Sequence, residues 1–139
     1  MSEMDNRRTR DARRDGNRGE EIALAWFREQ GYTLVARNLR VRWSGELDLI
    51  LHRGQTLHVV EVKTIGPFSL SRASDPLQYY GLPQLERLRN TLKRWLADSR
   101  SRSMSPPWLD LSIDICTVDQ RQAPPVIRHY PAIMPPEGP

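Results

Sequence analysis

The sequence predicts an α/β domain in which a central β-sheet is flanked by helices. Two segments carry apolar residues at helical spacing, one near the start of the chain and one after its middle. Between and after them lie apolar runs that are rich in β-branched residues or alternate with polar ones, as strands do. A chain of 139 residues is long enough for one domain with a genuine core.

The composition narrows the class of protein before any motif is considered. A net charge of +4 and a pI near 9.7 favour a polyanionic partner. The single cysteine rules out an internal disulfide and fits a reducing compartment. No apolar run has the length of a membrane span, and the arginine-rich start lacks the apolar core of a signal peptide. We therefore expect a cytoplasmic protein with no membrane partner.

The chain divides into a tail, a domain and a second tail. Residues 1–18 hold six arginines without apolar periodicity, which predicts a disordered basic tail. Such a tail would either add salt-dependent phosphate contacts or merely solvate the protein. The predicted domain spans 19–130, and residues 131–139 form a proline-rich C-terminal tail.

The first predicted helix spans 19–30 and ends before Gly31, a residue favoured after helix C-termini. Glu20 falls at the edge of its apolar stripe and is expected to look into the protein, whereas Glu21 points into water. The alternative for Glu20 is a first-turn acid that the helix dipole favours. The stripe consists of Ile22, Ala23, Trp26 and Phe27.

The remaining elements follow in a simple order. They are a strand over 32–36, a hairpin over 45–63, an irregular segment over 66–82, a helix over 83–98, a half-buried strand over 109–116 and an edge strand over 126–130. Basic residues around the first strand and on the second helix are candidate nucleic-acid contacts, and their alternative is a solvated polar face. These residues are Arg40, Arg42, Arg87 and Lys93.

The hairpin holds the strongest functional signal of the chain. Its two apolar runs contain three acids and a lysine, and such residues are rarely buried unless they are paired or hold a metal. If residues 53 and 54 form a two-residue loop, residue 52 faces residue 55, and the numbers of any two opposed residues add up to 107. Since opposed residues share a face and side chains alternate, one face would then carry Glu46, Asp48, Glu61 and Lys63.

Carboxylates gathered on one face form a site for Mg²⁺ (or Mn²⁺), with Asp48 and Glu61 as the metal ligands. Lys63 would reach the same place, where it could assist an attacking water or offset charge on a pentavalent phosphate. The chain has 19 arginines and 2 lysines, so a lysine here fits a need for a compact charge. The alternative is a surface hairpin with an exposed Glu61–Lys63 pair.

The three histidines and the single cysteine are expected to have ordinary structural roles, and Trp43 has two possible roles. His52, His58 and His129 lack metal-ligand spacing and are expected in the turn, a strand and an edge. Cys116 is expected to be a buried small residue. Trp43 either stacks on a nucleobase or packs against the protein.

Several motifs together resemble the YraN family of bacterial proteins. The resemblance spans residues 19–118 and implies a restriction-endonuclease-like fold of the PD-(D/E)xK type, related to Holliday-junction resolvases. It also implies that Asp48, Glu61 and Lys63 match the nuclease triad, that Glu20 matches the first-helix acid of the resolvases, and that Glu46 matches the other acid of the family's GE-(I/L)-D motif. The motifs are the segments 19–23, 31–32, 36–38, 45–50, 61–64 and 113–114.

The chain departs from the family pattern in three places. The family usually has a lysine where Gln84 stands and an arginine where Ser112 stands, and the segment 69–80 is lengthened. The resemblance implies a Mg²⁺-dependent endonuclease that acts on DNA, including branched or structured DNA. The alternative is a weak or inactive nucleic-acid-binding or repair-accessory protein on the same fold. DNA is favoured over RNA, and a homodimer is left open.

Overall fold

The computed structural model describes residues 17–66, 82–101 and 110–133. It has the α/β architecture that the sequence predicts, with a mixed five-stranded sheet and helices against it, consistent with a restriction-endonuclease-like core. The elements are α1 over 17–29, β1 (Thr33–Val41), β2 (Gly45–Arg53), β3 (Thr56–Ile65), α2 (Leu82–Ser101), β4 (Asp110–Asp119) and β5 (Val126–Tyr130). Neither of these two helices is long and apolar enough to cross a membrane.

The strands lie in the order in which they occur along the chain. The neighbouring pairs β1–β2, β2–β3 and β4–β5 are antiparallel, whereas β3 and β4 are parallel. Parallel neighbours need a crossover connection, because the chain must return to the same end of the sheet. The connection between β3 and β4 contains α2, so this helix belongs to the crossover.

The core consists of two apolar layers, one on each face of the sheet. On one face α1 contributes Ala23, Leu24 and Phe27, which pack with residues of β2, β3 and β4 such as Leu49 and Val60. On the opposite face α2 covers a second set of strand residues. This set is Leu88, Leu92 and Trp95 of α2 with Ile50, Leu57, Val59 and Ile113 of the strands. Both faces of β2 and β3 are therefore covered, which explains their nearly continuous apolar sequence.

The element boundaries differ from the prediction where tertiary context decides them. Helix α1 already includes residues 17 and 18, which the sequence assigned to the tail. The first strand continues past its predicted end at residue 36, because β1 pairs with β2 as far as Val41↔Gly45. β4 is buried on both faces from Ile113 to Val118 rather than half-buried, because its side chains enter both apolar layers, Cys116 and Val118 on the α1 side and Ile113 on the α2 side. Three predicted segments lie outside the described residues: the tail up to residue 16, the irregular segment from 67 to 81, and residues 134–139.

The hairpin register is shifted by two from the prediction. The pairs Arg53↔Thr56 and Ile50↔Val59 make the paired numbers sum to 109, and the loop is Gly54-Gln55. Gly54 has a φ of 60°, the left-handed conformation that glycine adopts without strain. The predicted sum of 107 is therefore wrong. A shift of two residues nevertheless leaves every side chain on the predicted face, because side chains alternate with a period of two.

Candidate metal-dependent active site at a strand fork

The candidate site lies where β2 and β3 diverge. Their ladder runs from the hairpin loop to the pair Leu49↔Val60. Beyond that pair β2 stays with β1 as far as Gly45, while β3 stays with β4 as far as Ile65. Asp48 is the first residue of β2 past the last pair, and its Oδ2 accepts a hydrogen bond of 3.0 Å from the backbone N–H of Val62. A side chain thus takes the place of a ladder bond, and we call this divergence the fork.

Asp48 and Glu61 meet in the fork through their carboxyl groups, which share a hydrogen bond. Burial, followed by the neighbouring charge of Asp48, raises the pKa of Glu61 to about 9. Burial also raises the pKa of Asp48, although hydrogen bonds from Val62 and Glu61 oppose that shift. Two carboxylates this close cannot both ionise readily without a cation, so the pair holds a proton at neutral pH.

Two further acids extend this negative cluster. Burial, and then the charge of Asp48, raises the pKa of Glu20, while Asn38 and Arg37 oppose the shift. Glu46 is exposed, and its charge raises the pKa of both Asp48 and Glu20. Glu20 therefore looks into the protein as predicted, and its charge also raises the pKa of Glu61.

Gly19 explains how an acid of α1 reaches the fork. A Cβ atom at this position would overlap the side chain of Thr64 near the end of β3. Any larger residue would push the start of α1 away from the sheet. The glycine therefore lets the helix approach β3 closely, with Glu20 as the next residue.

The carboxylates of the fork have the unsatisfied oxygens that a cation would take up. Glu20 Oε2 and Glu61 Oε1 are buried and have no hydrogen-bond partner within residues 17–66, 82–101 and 110–133. A buried carboxylate oxygen without a partner is strongly unfavourable, so native proteins pair it or bind an ion to it. Carboxylate oxygens are also the donors that Mg²⁺ and Mn²⁺ prefer. Glu20, Asp48 and Glu61 thus fit a hard divalent cation.

Lys63 lies on β3 two residues beyond Glu61. Because strand side chains alternate, it points to the same face as Glu61. It is half-buried and pairs with Thr117 of β4 in the ladder. The acid and the lysine of the nuclease-like motif therefore share one strand face next to the fork.

An open cleft of about 240 Å³ adjoins the fork and runs to the start of α2. Glu46 and Glu61 line it on the sheet side, and Gln84 and Arg87 line it on the helix side. Gln84 is the position at which the family pattern has a lysine, so this departure bears directly on the cleft. Arg87 is exposed, as are Arg40, Arg42 and Lys93.

A second polar cluster lies on the α1 side of the sheet, and the sequence analysis did not predict it. Asp114 is 0% exposed, and its Oδ2 accepts hydrogen bonds from His58 Nδ1 at 2.8 Å and His129 Nε2 at 2.7 Å. Its Oδ1 accepts from the Ser112 hydroxyl and from the backbone N–H of Ala132. The network joins β3, β4, β5 and the residues that follow β5. His58 and His129 thus lie in a strand and at an edge as expected, but as a pair.

The geometry identifies this cluster as a hydrogen-bonded network. Its three ligand-type atoms, from His58, Asp114 and His129, lie within 4.8 Å of one another. Ligands at about 2.0–2.1 Å from a tetrahedral zinc are about 3.3 Å apart. Both nitrogens instead lie at hydrogen-bond distance from one carboxylate oxygen. The network therefore satisfies a buried anion without a metal.

The electrostatics of Asp114 match that role. Burial alone would raise its pKa, but the hydrogen bonds from His129, His58, Ser112 and Ala132 outweigh burial and hold the pKa below its ordinary range. The neighbouring Cys116 is 0% exposed, and burial raises the pKa of its thiol to about 12. The expectation that Cys116 is a buried small residue is confirmed.

We expect Asp114→Asn to destabilise the fold by about 3 kcal/mol, because an amide loses the charge-assisted hydrogen bonds and turns a donor toward other donors. A depressed folded-state pKa gives stability that is complete above the ordinary value of 3.8 and is lost progressively as the pH falls below 3.8 toward the folded-state pKa. Urea unfolding between neutral pH and pH 3 measures both effects. Asp119→Asn is the control, since the Asp119–Arg121 pair lies near the surface and should contribute at most about 1 kcal/mol. Equal losses of unfolding free energy in Asp114→Asn and Asp119→Asn would contradict a special role for Asp114.

Comparison with known proteins gives a consistent family result. The model of the uncharacterised protein family UPF0102 matches residues 19–118. A UPF0102 protein of Nocardia farcinica is 34% identical over 119 residues, which cover 85% of this chain and 87% of the relative. One of Leifsonia xyli is 34% identical over 86% of this chain and 94% of the relative. One of Kineococcus radiotolerans is 35% identical over 85% of this chain and 91% of the relative.

Proposed function

The chain belongs to the UPF0102 (YraN) family, whose name states no activity, and from the fork we propose that it is a Mg²⁺-dependent endonuclease acting on DNA. One observation carries the proposal. Asp48, Glu61 and Glu20 converge where two strands diverge, and two of their buried carboxylate oxygens have no partner among the described residues. A fold gains nothing in stability from such a cluster, and a ligand of positive charge would relieve its repulsion.

The chemistry follows from the residues around that ligand. A bound Mg²⁺ ion supplies positive charge for the scissile phosphate and lowers the pKa of a water molecule. Asp48 and Glu61 would hold the ion, and Glu20 and Glu46 would assist directly or through water. Lys63, on the same strand face as Glu61, orients the attacking water and offsets the charge that develops on phosphorus.

The basic residues around the cleft fit a polyanionic substrate. Arg87 stands in the wall opposite Glu46 and Glu61, where it contacts a phosphate next to the one that is cleaved. Arg40 and Arg42 extend the positive surface along the β1–β2 loop. With the net charge of +4, these residues favour nucleic acid as the substrate class.

A second function, a nucleic-acid-binding or repair-accessory protein with little or no cleavage, is favoured by one observation. Gln84 lines the cleft at the position where the family pattern has a lysine. A neutral amide cannot neutralise charge on a phosphate as an ammonium does. This candidate predicts tight binding of DNA without turnover.

A cleavage assay decides between the two candidates. Linear, flapped and four-way-junction DNAs of matched sequence are incubated with the protein and Mg²⁺, Mn²⁺ or EDTA, with Lys63→Ala alongside. The nuclease proposal expects metal-dependent products that are absent with EDTA and with the variant. Binding of these DNAs without products in either metal would favour the accessory protein.

A further inference from the structure

The loop between β1 and β2 is a fixed part of the cleft wall. The strands close at Val41↔Gly45, and Ser44 N donates a hydrogen bond of 3.1 Å to the carbonyl oxygen of Val41. Ser44 Oγ also lies 2.8 Å from Thr91 Oγ1 of α2, a hydrogen bond that ties the loop to the helix. The three loop residues, Arg42, Trp43 and Ser44, are therefore held in a defined position next to the fork.

Trp43 occupies this loop in a way that the fold does not require. Its φ is 66°, a left-handed conformation that is unfavourable for a bulky residue and that asparagine or glycine would adopt more easily. The residue is 81% exposed, so its ring packs against almost none of the described residues. Of the two roles predicted for Trp43, packing against the protein is therefore wrong. Strain and exposure combined at one residue near a site point to a binding role.

The surroundings of Trp43 have the chemistry of a nucleic-acid contact. The guanidinium of Arg42 lies over its ring, 5.4 Å from the centroid. Arg40 joins Arg42 and Trp43 in lining an open cleft of about 600 Å³. This cleft shares Ser44, Gly45 and Glu46 with the smaller cleft that contains Glu61. A ligand that lies on the face of the Trp43 ring would therefore extend directly into the cleft at the fork.

We propose that Trp43 is a stacking platform for an unpaired base, with Arg40 and Arg42 holding the adjacent phosphates, so that the protein selects DNA with a single-stranded segment beside the fork. The inference rests on the proposed function and specifies its substrate. Base–aromatic stacking is sequence-tolerant and requires that the base be out of a duplex, because paired bases stack on one another. A flat exposed indole flanked by cations supplies both parts of such a site.

The charge of the loop argues against a protein partner, and above all against a second copy. A symmetric contact through Trp43 would place Arg42 of one copy beside Arg42 of the other, and like charges at a contact are unfavourable. Among the described residues that line this cleft Glu46 is the one acid, and it lies on the side of the loop next to the fork. A polyanion with a flat apolar face is the better match.

The test compares two DNAs, a blunt duplex and the same duplex with a single-stranded tail, by fluorescence anisotropy in EDTA so that no cleavage occurs. Trp43→Asn should weaken binding of the tailed DNA by about 10-fold, within the range that stacking of one base gives. Binding of the blunt duplex should change by less than about 2-fold. Trp43→Phe keeps an aromatic face and should retain most of the preference.

Two controls separate stacking from charge and from folding. Trp43→Asn removes no charge, so the dependence of affinity on salt should not change, whereas Arg42→Ala should weaken both DNAs and reduce the salt slope by about 1. The melting temperature of Trp43→Asn should equal or exceed that of the parent, because asparagine tolerates the left-handed backbone. A structural role for Trp43 would lower it.

The outcomes of this test are distinguishable from those of the nuclease proposal. If Trp43→Asn weakens both DNAs equally or neither, the stacking site is overturned while Mg²⁺-dependent cleavage by the parent still stands. If the parent prefers tailed DNA through Trp43 but never cleaves it, the stacking site stands and the nuclease proposal fails. A concentration-dependent dimer that Trp43→Asn dissolves would overturn the stacking site in favour of self-association.

Discussion

Replacing Glu61 by glutamine is expected to abolish metal-dependent cleavage and to stabilise the metal-free protein in the same variant. Glutamine keeps the shape of the side chain and can donate a hydrogen bond to Asp48, but it offers no charged ligand to a cation. Loss of a metal ligand should reduce turnover by more than about 100-fold, since even the outer partners of metal ligands contribute 10- to 100-fold. Cleavage of labelled DNA with Mg²⁺ measures this effect.

The stabilising effect follows from the raised pKa of Glu61. Its ordinary value is 4.5 and its value in the folded protein is about 9, so between these values the folded state binds more protons than the unfolded state. Stability in EDTA should therefore fall as the pH rises from about 4.5 to about 9, and Glu61→Gln should remove that decline. Urea unfolding across this window measures it.

Glu21→Gln is the matched control, because Glu21 is an exposed acid of α1 that points away from the fork. Neither its cleavage rate nor its stability profile should change. A fall in stability of Glu61→Gln in EDTA would show that Glu61 is a structural residue and would contradict the fork as a ligand site.

Replacing Lys63 by alanine is expected to reduce turnover by about 100- to 1,000-fold while leaving DNA affinity nearly unchanged. The expected magnitude is that of one group that stabilises charge mainly in the transition state. Single-turnover cleavage measures the chemical step, and anisotropy in EDTA measures the affinity. A variant that binds as the parent does but cuts slowly is the signature of an interaction made during the reaction.

Arg87→Ala serves as the comparison for Lys63→Ala, because Arg87 lines the same cleft from α2. It should weaken binding and reduce the salt slope by about 1, with a smaller effect on the chemical step. If Lys63→Ala instead weakens binding as much as Arg87→Ala, and the parent shows no cleavage, the accessory-protein function is the better one.

The fold and the faces of the hairpin were predictable because they depend on local periodicity. Alternation places Glu61 and Lys63 on one face whatever the register, and Asp48 joins them on that face provided that the register shifts by an even number. The register itself depends on which residue adopts a positive φ, and Gly54 serves as either the first or the second residue of a two-residue loop. The sequence therefore gives the face with more certainty than the pairing.

The fork was not predictable, because no local pattern marks where β2 leaves β3. The ladder between β2 and β3 ends at Leu49↔Val60, while β2 continues to pair with β1 and β3 continues to pair with β4. This depends on the whole sheet rather than on the residues at the point of divergence. Asp48 as a substitute for a ladder bond is visible only in three dimensions.

The network around Asp114 was missed for a related reason. Its histidines lie 56 and 15 residues away in the sequence and on different strands. A usable signal did exist, since His58 interrupts a strand of otherwise buried apolar residues. A polar residue in such a run predicts a buried partner, though not which one.

The most direct test of the fork as a cation site is the melting temperature of the protein with and without Mg²⁺ at several pH values, for the parent and Glu61→Gln. A ligand that binds the folded state raises the melting temperature, and the cation must displace the proton of the Asp48–Glu61 pair. Millimolar Mg²⁺ should therefore stabilise the parent, increasingly so as the pH rises toward 9, and should leave Glu61→Gln almost unaffected. A parent whose melting temperature does not respond to Mg²⁺ or Mn²⁺ at any pH, or a variant that responds equally, would contradict the fork as the cation site.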